Sequence, residues 1–461
     1  MSKPGKRFSV LAPLFSFLLG RQAQSSTVPS EQAKRLLPVP TGLLANNRDA
    51  WHLHWVKQGQ PWRWEPEISA QRQQELNKRR AIVPDIKKGI YPFRGVKLSR
   101  ADVEWLLATH EDGLGPVDWN DESQRDRLGL DLRGADLREV NLRGLPMACM
   151  LGSLRWDDWK VATVAQRDMA AIHLEGATLR ETHLERARLN GAYLAGASFR
   201  NAYLEDIHLL QAHLEGADFF RAHLESASLR EAYLQGADLR LVYFDHASSL
   251  DNMVLGDEKF GFISMVDVHW GDVNLSVINW ASLKMLGNES VARHKKSRRG
   301  RVKGAGERIE EYQVAVRANR QLAVVLENQG LSEDAARFAY RAQFLQRKVL
   351  WKQREFGKWF FSLLLALLAG YGYRMWRIIA AYLIIVSLCA LAYFLLGFYY
   401  APHLPLQVAF LESITAFHGR VFSGLFASNT PQIWVTAFEA IAGLVIEGVF
   451  IAMLTQRFFG K

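Results

Sequence analysis

Between Ile172 and Phe244 the chain repeats every five residues. Every fifth position is small or β-branched, mostly alanine: Ala177, Ala187, Ala192, Ala197, Ala202, Ala212, Ala217, Ala222, Ala227, Ala232 and Ala237. Two residues after each comes Leu or Phe, fifteen times without a break from Leu174 to Phe244. A shorter run precedes it at Leu132, Leu137 and Leu142, and the phase returns after an insertion at Met265, Trp270, Leu275 and Trp280. A period of five matches neither the 3.6 of a helix nor the 2 of a strand. It matches one side of a square coil, with the large residue on the axis and the small one in the tight inner corner. Four sides close a turn, so residues roughly twenty apart stack at about 4.8 Å, the β-strand spacing. The pattern predicts a right-handed quadrilateral β-helix over about 129–285, interrupted near 148–171.

Stacking turns the sequence into columns. One face reads His173, Tyr193, His213, Tyr233, and the opposite face His183, Tyr203, His223, Tyr243. Glu185, Glu205, Glu225 and Asp245 form an acidic ladder, and Arg180, Arg200 and Arg240 share a neighbouring face. Like charges at strand spacing repel, so the ladder is either solvated or awaits a cation or basic partner; solvation is the plainer reading. Histidines in one column stand two coils apart, about 9.6 Å, too far for joint ligation, and no metal site is expected.

After the repeats the apolar spacing becomes helical. Tyr312, Val316, Leu322, Ala323 and Leu326 mark one helix, Gly330 suits the position just past its end, and Ser332 is a candidate N-cap for a second. The pair is similar to a tetratricopeptide hairpin. One such unit rarely stands alone, so packing on a neighbouring part, or on itself in an oligomer, is expected. The hydrophobicity then rises. Trp359–Gly372 is too short to cross a bilayer and suits an interfacial helix. Apolar runs from about Ile378 to Tyr399 and from Ile433 past Phe450 are long enough to span. Between them "LPLQVAFLESITAF" is apolar at helical spacing but too short to span, as in a re-entrant helix, which is allowed only where protein buries it.

Charge sets the orientation. Lys348, Lys352, Arg354, Lys358, Arg374 and Arg377 precede the first span, Arg457 and Lys461 follow the second, and Arg420 alone is a fixed positive charge between them. Positive-inside reasoning places both ends in the cytoplasm, at a plasma or inner membrane. Intramembrane Glu439 and Glu447 lie roughly on one face, with Gly443 and Gly448 as candidate gating hinges; such carboxylates face a pore or partner by default. Pairing of Glu412 or Glu439 with Arg420 is expected.

Elsewhere the chain says less. Residues 1–40 begin with a basic, apolar stretch whose cleavage site is poor, so an interfacial or loosely ordered segment is expected rather than a secretion signal. Residues 41–128 are rich in tryptophan without a period and read as a small α+β cap or adaptor domain with a tryptophan core; His52 and His54 could share a strand face but lack a third ligand. Net charge is +10. Seven Lys or Arg crowd between Arg293 and Lys303, which reads as a solvated linker or as a contact with anionic lipid; nucleic acid is the least favoured partner. Residues 171–250 carry a net charge of −4, too mild for strong DNA mimicry. Only Cys149 and Cys389 are present, so neither a disulfide framework nor a cysteine metal site is expected. No phosphate loop, metal cluster or nucleophile triad stands out, so neither an enzyme nor a cofactor is expected.

Units such as "GADLR", "EGADF" and "QGADL" resemble the pentapeptide-repeat family, which implies the β-helix. "SITAFHGR", between the two spans, is similar to the potassium-channel filter pattern "TxTTVGYGD". Thr415 and Gly419 align; Ala416, Phe417, His418 and Arg420 depart from it. The order of segments over 129–461 resembles bacterial membrane proteins that join pentapeptide repeats, a helical hairpin and a two-span channel-like domain. That resemblance implies a homotetramer with Thr415–Arg420 at a pore and Glu412 on the pore helix. The departures argue against potassium: Phe417 stands where a filter glycine belongs, and a ring of Arg420 favours anions. The rival is a non-conducting, membrane-anchored scaffold whose β-helix binds a cytoplasmic protein. The expected domains are 41–128, 129–285, a basic linker 286–306, the hairpin 307–357 and a membrane domain 358–461.

Overall fold

The computed structural model describes residues 39–296, 300–369, 376–401, 403–420 and 430–459. The apolar stretch Phe8–Leu19, Arg298, Arg299, Arg374, Lys461 and residues 421–429 lie outside them.

The repeats form a square solenoid. Parallel bridges run in four columns: His173 to Tyr193 to His213 to Tyr233, Thr178 to Ser198 to Asp218 to Asp238, His183 to Tyr203 to His223 to Tyr243, and Arg188 to His208 to Ser228 to Ser249. Each column is one side of the coil. Leu174, Leu194, Leu214 and Leu234, with their counterparts on the other sides, are fully buried on the axis, and the alanines two before them are equally buried. The corner itself falls one residue before each alanine. There the backbone is left-handed, as at Glu181 (φ 58°), Arg186 (57°) and Asn201 (52°), and glycine often takes the place, as at Gly176, Gly196 and Gly216. Left-handed φ favours glycine because it lacks a Cβ.

Three insertions leave the coil. Residues 152–171 carry helices α4 (Trp156–Val161) and α5 (Val164–Ala170), after which Asp136 pairs with His173. One extra residue shifts Ser228 onto Ser249. A hairpin of β1 (Gly256–Asp257) and β2 (Gly261–Phe262) then shifts Asp238 onto Ser264.

Both ends of the solenoid are covered. Residues 41–128 hold α1 (Arg48–Lys57), α2 (Ala70–Arg80) and α3 (Arg100–Ala108), and their extended segment joins the first coil through Leu98 N–H to Asp136 O (3.0 Å) and Asp136 N–H to Val96 O (2.9 Å). Of the two expectations the structure has the cap: the region is continuous with the solenoid, and its regular elements are helices rather than α+β. Val103, Leu106 and Leu107 of α3 close the axis, in one core with Leu132 and Leu137. Arg100 and Glu104 lock the join: Arg100 donates to Glu104 (2.7 Å) and to the carbonyls of Asn141 and Arg143, while Glu104 accepts from the amides of Trp64 and Glu65. Trp51, Trp55 and Trp105 are core residues. His52 and His54 lie on a helix, not a strand; His52 stacks on Trp64 at 3.7 Å and His54 bonds Gln58.

At the other end the hairpin of α7 (Ala305–Asn328) and α8 (Ser332–Lys352) packs on the last coil. Its side chains finish the backbone pairing: Gln321 bridges Asp267, and Gln329 takes Leu275 N–H (2.8 Å) and gives to Val273 O (2.7 Å). An open sheet edge is an aggregation hazard, and these amides close it. The expected partner of the hairpin is thus the solenoid itself. Gly330 (φ 77°) ends α7 as expected, but the second helix is capped at Leu331, and Ser332 is its first residue. The expected basic linker is largely folded. Glu289 on α6 (Gly287–Arg293) holds Arg293 and Arg341, Arg301 pairs with Glu307, and buried Lys303 pairs with Glu311 (2.8 Å). Of the seven cations of the run, Arg293, Arg301 and Lys303 thus have carboxylate partners within the chain, while Lys295 and Lys296 are exposed.

The last part is helical: α9 (Phe356–Ala369), α10 (Trp376–Leu396), α11 (Leu406–Phe417) and α12 (Pro431–Phe459). Helix α10 and residues 431–452 of α12 are long and apolar enough to cross a membrane, and the rest of the chain buries only 28% and 22% of them. A core helix of a water-soluble domain would be mostly covered.

Candidate functional site

Helix α11 sits between α10 and α12. Its inward face is Ala409, Glu412, Ser413, Ala416 and Phe417, the spacing of one helical face. A polar knot ties the three helices. Glu439 of α12 is fully buried and bonds Ser413 of α11 and, at 3.1 Å, Tyr393 of α10. The Tyr393 hydroxyl lies 3.0 Å from Thr436, and Ser413 Oγ lies 2.9 Å from Val386 O. Glu412 is buried on the same helix.

The six residues aligned with a filter are divided between two tasks. Thr415, Ala416 and Phe417 belong to α11, and His418 is its C-cap. Gly419 (φ 70°) follows in the left-handed region, with its N–H on Ala416 O (2.9 Å), and Arg420 N–H returns to Thr415 O (2.9 Å). This is a Schellman end. It consumes two of the carbonyls that a filter would turn to its axis. Phe417 is 1% exposed, edge-on to Tyr382 at 4.8 Å. The glycine in "FHGR" therefore serves a helix terminus. His418, Gly419 and Arg420 are exposed.

Two further expectations change. Glu439 is bonded to Ser413 and Tyr393, and among the described residues no ion pair joins it to Arg420. Glu447 instead reaches His418 Nδ1, tying α12 to the end of α11. The two hinge candidates also differ. Gly443 lies against the Phe417 carbonyl, where any Cβ would collide, so it is a packing contact; Gly448 has open space around it.

On the solenoid the aromatic columns are continuous stacks. Ring centroids are 4.7, 5.1 and 4.9 Å apart from His173 to Tyr233, and 4.6, 5.5 and 4.8 Å from His183 to Tyr243, which continues to His269 at 4.4 Å. His173, His183, His213 and His223 each also bond the glutamate two residues on, as His183 does Glu185 (2.8 Å) and His223 does Glu225 (3.2 Å). This bond raises the pKa of His183. Burial, with Glu185 and Glu225 as neighbours, pushes up the Glu205 carboxyl. Glu205, His223 and Glu225 offer three ligand atoms within 4.8 Å of one another. Histidine spacing alone does not mark this mixed set, because two of its three ligands are carboxylates on neighbouring coils. The arginine face is relieved by carboxylates and a ring: Arg200 pairs with Asp218, Arg240 with Asp238, and both flank Phe220 at 4.4 and 5.6 Å.

The pentapeptide-repeat family model matches residues 168–206 and 208–245 in eight copies, so the chain carries a pentapeptide-repeat region, followed by a helical region with two long apolar helices. No curated protein matches the chain. Among solved structures it is similar to the pentapeptide repeat protein Rfr23 from the cyanobacterium Cyanothece 51142, at 23% identity over 32% of this chain and 93% of that one (TM-score 0.22). It is also similar to HetL, a pentapeptide repeat protein involved in heterocyst differentiation regulation from Nostoc sp. strain PCC 7120, at 17% identity over 37% and 79% (TM-score 0.20). A third is a pentapeptide repeat protein from the Arabidopsis thaliana thylakoid lumen, at 21% identity over 28% and 85% (TM-score 0.15).

Proposed function

We propose that the chain is a self-assembling, ion-channel-like membrane protein with a solenoid arm in the cytoplasm. The observation that carries this is the seat of α11. A twelve-residue apolar helix is held between two span-length helices by the Glu439–Ser413–Tyr393 knot. Its far end leaves His418, Gly419 and Arg420 uncovered. In a bilayer such an end needs protein or water around it, and copies of the chain arranged about an axis supply both. Trp434, Phe438, Ile441 and Leu444 of α12 are 62–78% exposed, which suits contact with lipid or with a neighbouring copy. A tetramer in the plasma or inner membrane, both ends cytoplasmic, is the arrangement proposed. Its pore does not select potassium, because Thr415 and Ala416 spend their carbonyls within the helix end, and exposed Arg420 favours anions. No catalytic step is part of this reading.

The same Schellman end favours a second reading. If Phe417 stays packed in every copy, the hairpin is a non-conducting anchor and the solenoid binds a cytoplasmic protein. Planar-bilayer recording with ion substitution, on protein whose oligomeric mass is measured in mild detergent, separates the two. Current that shifts toward cations in Arg420→Asp supports the pore. Silence in both the wild type and Phe417→Gly supports the anchor. A monomer, or a potassium-selective current, contradicts the proposal.

A further inference from the structure

The fourth side of the solenoid carries a cleft that neither the membrane reading nor the aromatic columns use. Its floor is the column Arg188, His208, Ser228, Ser249 on successive coils. Its wall is the insertion that bears α4, whose Arg155 and Trp156 face the cavity of about 640 Å³. The wall is pinned: Trp159 sits on the glycine of the coil below, where a Cβ at Gly191 would stand 2.6 Å from the indole. That seat buries Trp159 and leaves Trp156 47% exposed.

The charges in the cleft are unbalanced. Arg155, Arg188 and Arg230 line it against one carboxylate, Asp157. Arg230 has a loose partner in Asp251 at 3.7 Å. Arg155 and Arg188 form no ion pair among the described residues. Arg188 is half-buried, and burial followed by the nearby charges of Arg155 and Arg186 disfavours its charged form. His208 is likewise held toward its neutral form by burial. Asp206, which pairs with Arg186 at 3.8 Å, offsets only part of this at Arg188. A half-buried arginine whose nearest acid is shared with another arginine is a cost to the fold that a bound anion would relieve. Guanidinium groups suit phosphate oxygens, which they meet with two bonds at once. Beside them Trp156 offers an aromatic face, with Lys160 over the ring at 4.8 Å.

We propose that this cleft binds a small phosphorylated ligand with a planar ring, of the nucleotide class. Arg155 and Arg188 take the phosphates and Trp156 stacks on the ring. The volume suits a small molecule.

The test is calorimetric titration of the full-length protein in detergent with ATP, pyrophosphate and adenosine, magnesium omitted. ATP should bind most tightly, pyrophosphate less so and adenosine least. Arg155→Ala, at an exposed position that leaves the fold intact, should weaken ATP and pyrophosphate alike by about tenfold, and Arg188→Ala should do the same. Trp156→Ala should weaken ATP about fivefold and leave pyrophosphate unchanged. Arg138→Ala, on another part of the solenoid, should change neither. The proposal is overturned if ATP fails to bind at millimolar concentration, if Arg155→Ala has no effect, or if Arg138→Ala weakens binding as much. Equal loss of ATP and pyrophosphate in Trp156→Ala would remove the ring from the site.

Discussion

Gly443 of α12 lies directly beneath the carbonyl of Phe417 at the end of α11, where a Cβ at 443 would collide with that oxygen. The end of the short helix is therefore set by a glycine on the second long helix, without which the two could not approach. Gly443→Ala should force α11 away and cost about 1–3 kcal/mol, the usual range for overpacking. Gly448→Ala, with open space around it, should be near neutral. Thermal unfolding of both variants in the same detergent checks this. Equal effects would restore a shared hinge role to the two glycines.

The axis of the solenoid gives a second expectation. Leu214 is fully buried between Leu194 and Leu234. Leu214→Asp places a carboxylate where no donor can reach it, which costs several kcal/mol, roughly 4 or more. Circular dichroism should show loss of the solenoid signal or a much lower melting temperature, and an unchanged melt would be inconsistent with the packed axis.

The solenoid was legible because its period comes straight from geometry: residues on the axis, in the corner and on the face recur in fixed order. The corner was misplaced by one residue, because alanine is conspicuous in the sequence whereas the left-handed position accepts Glu181, Arg186 and Asn201 as well as glycine. The order of the C-terminal apolar helices was legible from length and hydropathy. The role of Gly419 was not, since a glycine that ends a helix and one that opens a filter look alike in sequence. The caps were hidden for another reason. Gln321, Gln329 and Arg100 act on backbone atoms far along the chain, and no local pattern marks such a residue.

Glu289 should hold the hairpin to the solenoid. It is fully buried and ties Arg293 on its own helix to Arg341 on α8. Glu289→Ala should cost about 2 kcal/mol or more, since charge-assisted bonds are lost and Arg341 must find solvent. Loosening should be local: amide exchange should rise over α7, α8 and the coil bearing Asp267, while the coils around Leu194 keep their protection. Uniform exchange across the whole chain would contradict a separable cap.

Two histidines on neighbouring sides of the solenoid should titrate in opposite directions. His183 bonds Glu185, which raises its pKa above the ordinary value of 6.5. His208 lies half-buried above Arg188, and burial lowers its pKa below 6.5. The linkage signs follow. His183 stabilises the fold fully below 6.5, and that contribution is lost as the pH rises through its folded pKa. His208 costs nothing above 6.5, but as the pH falls the unfolded chain takes up its proton first, and stability drops. The two windows lie on opposite sides of 6.5, so together they give the wild type a stability maximum near that pH, and the two variants separate its flanks. Imidazole resonances followed from pH 5 to 8 should show His183 still protonated where His208 is neutral. His183→Gln should remove the loss of stability above pH 6.5, and His208→Gln the loss below it. Titration of both at one pH would show that the bond to Glu185 and the burial beside Arg188 leave no mark on the charge of either ring.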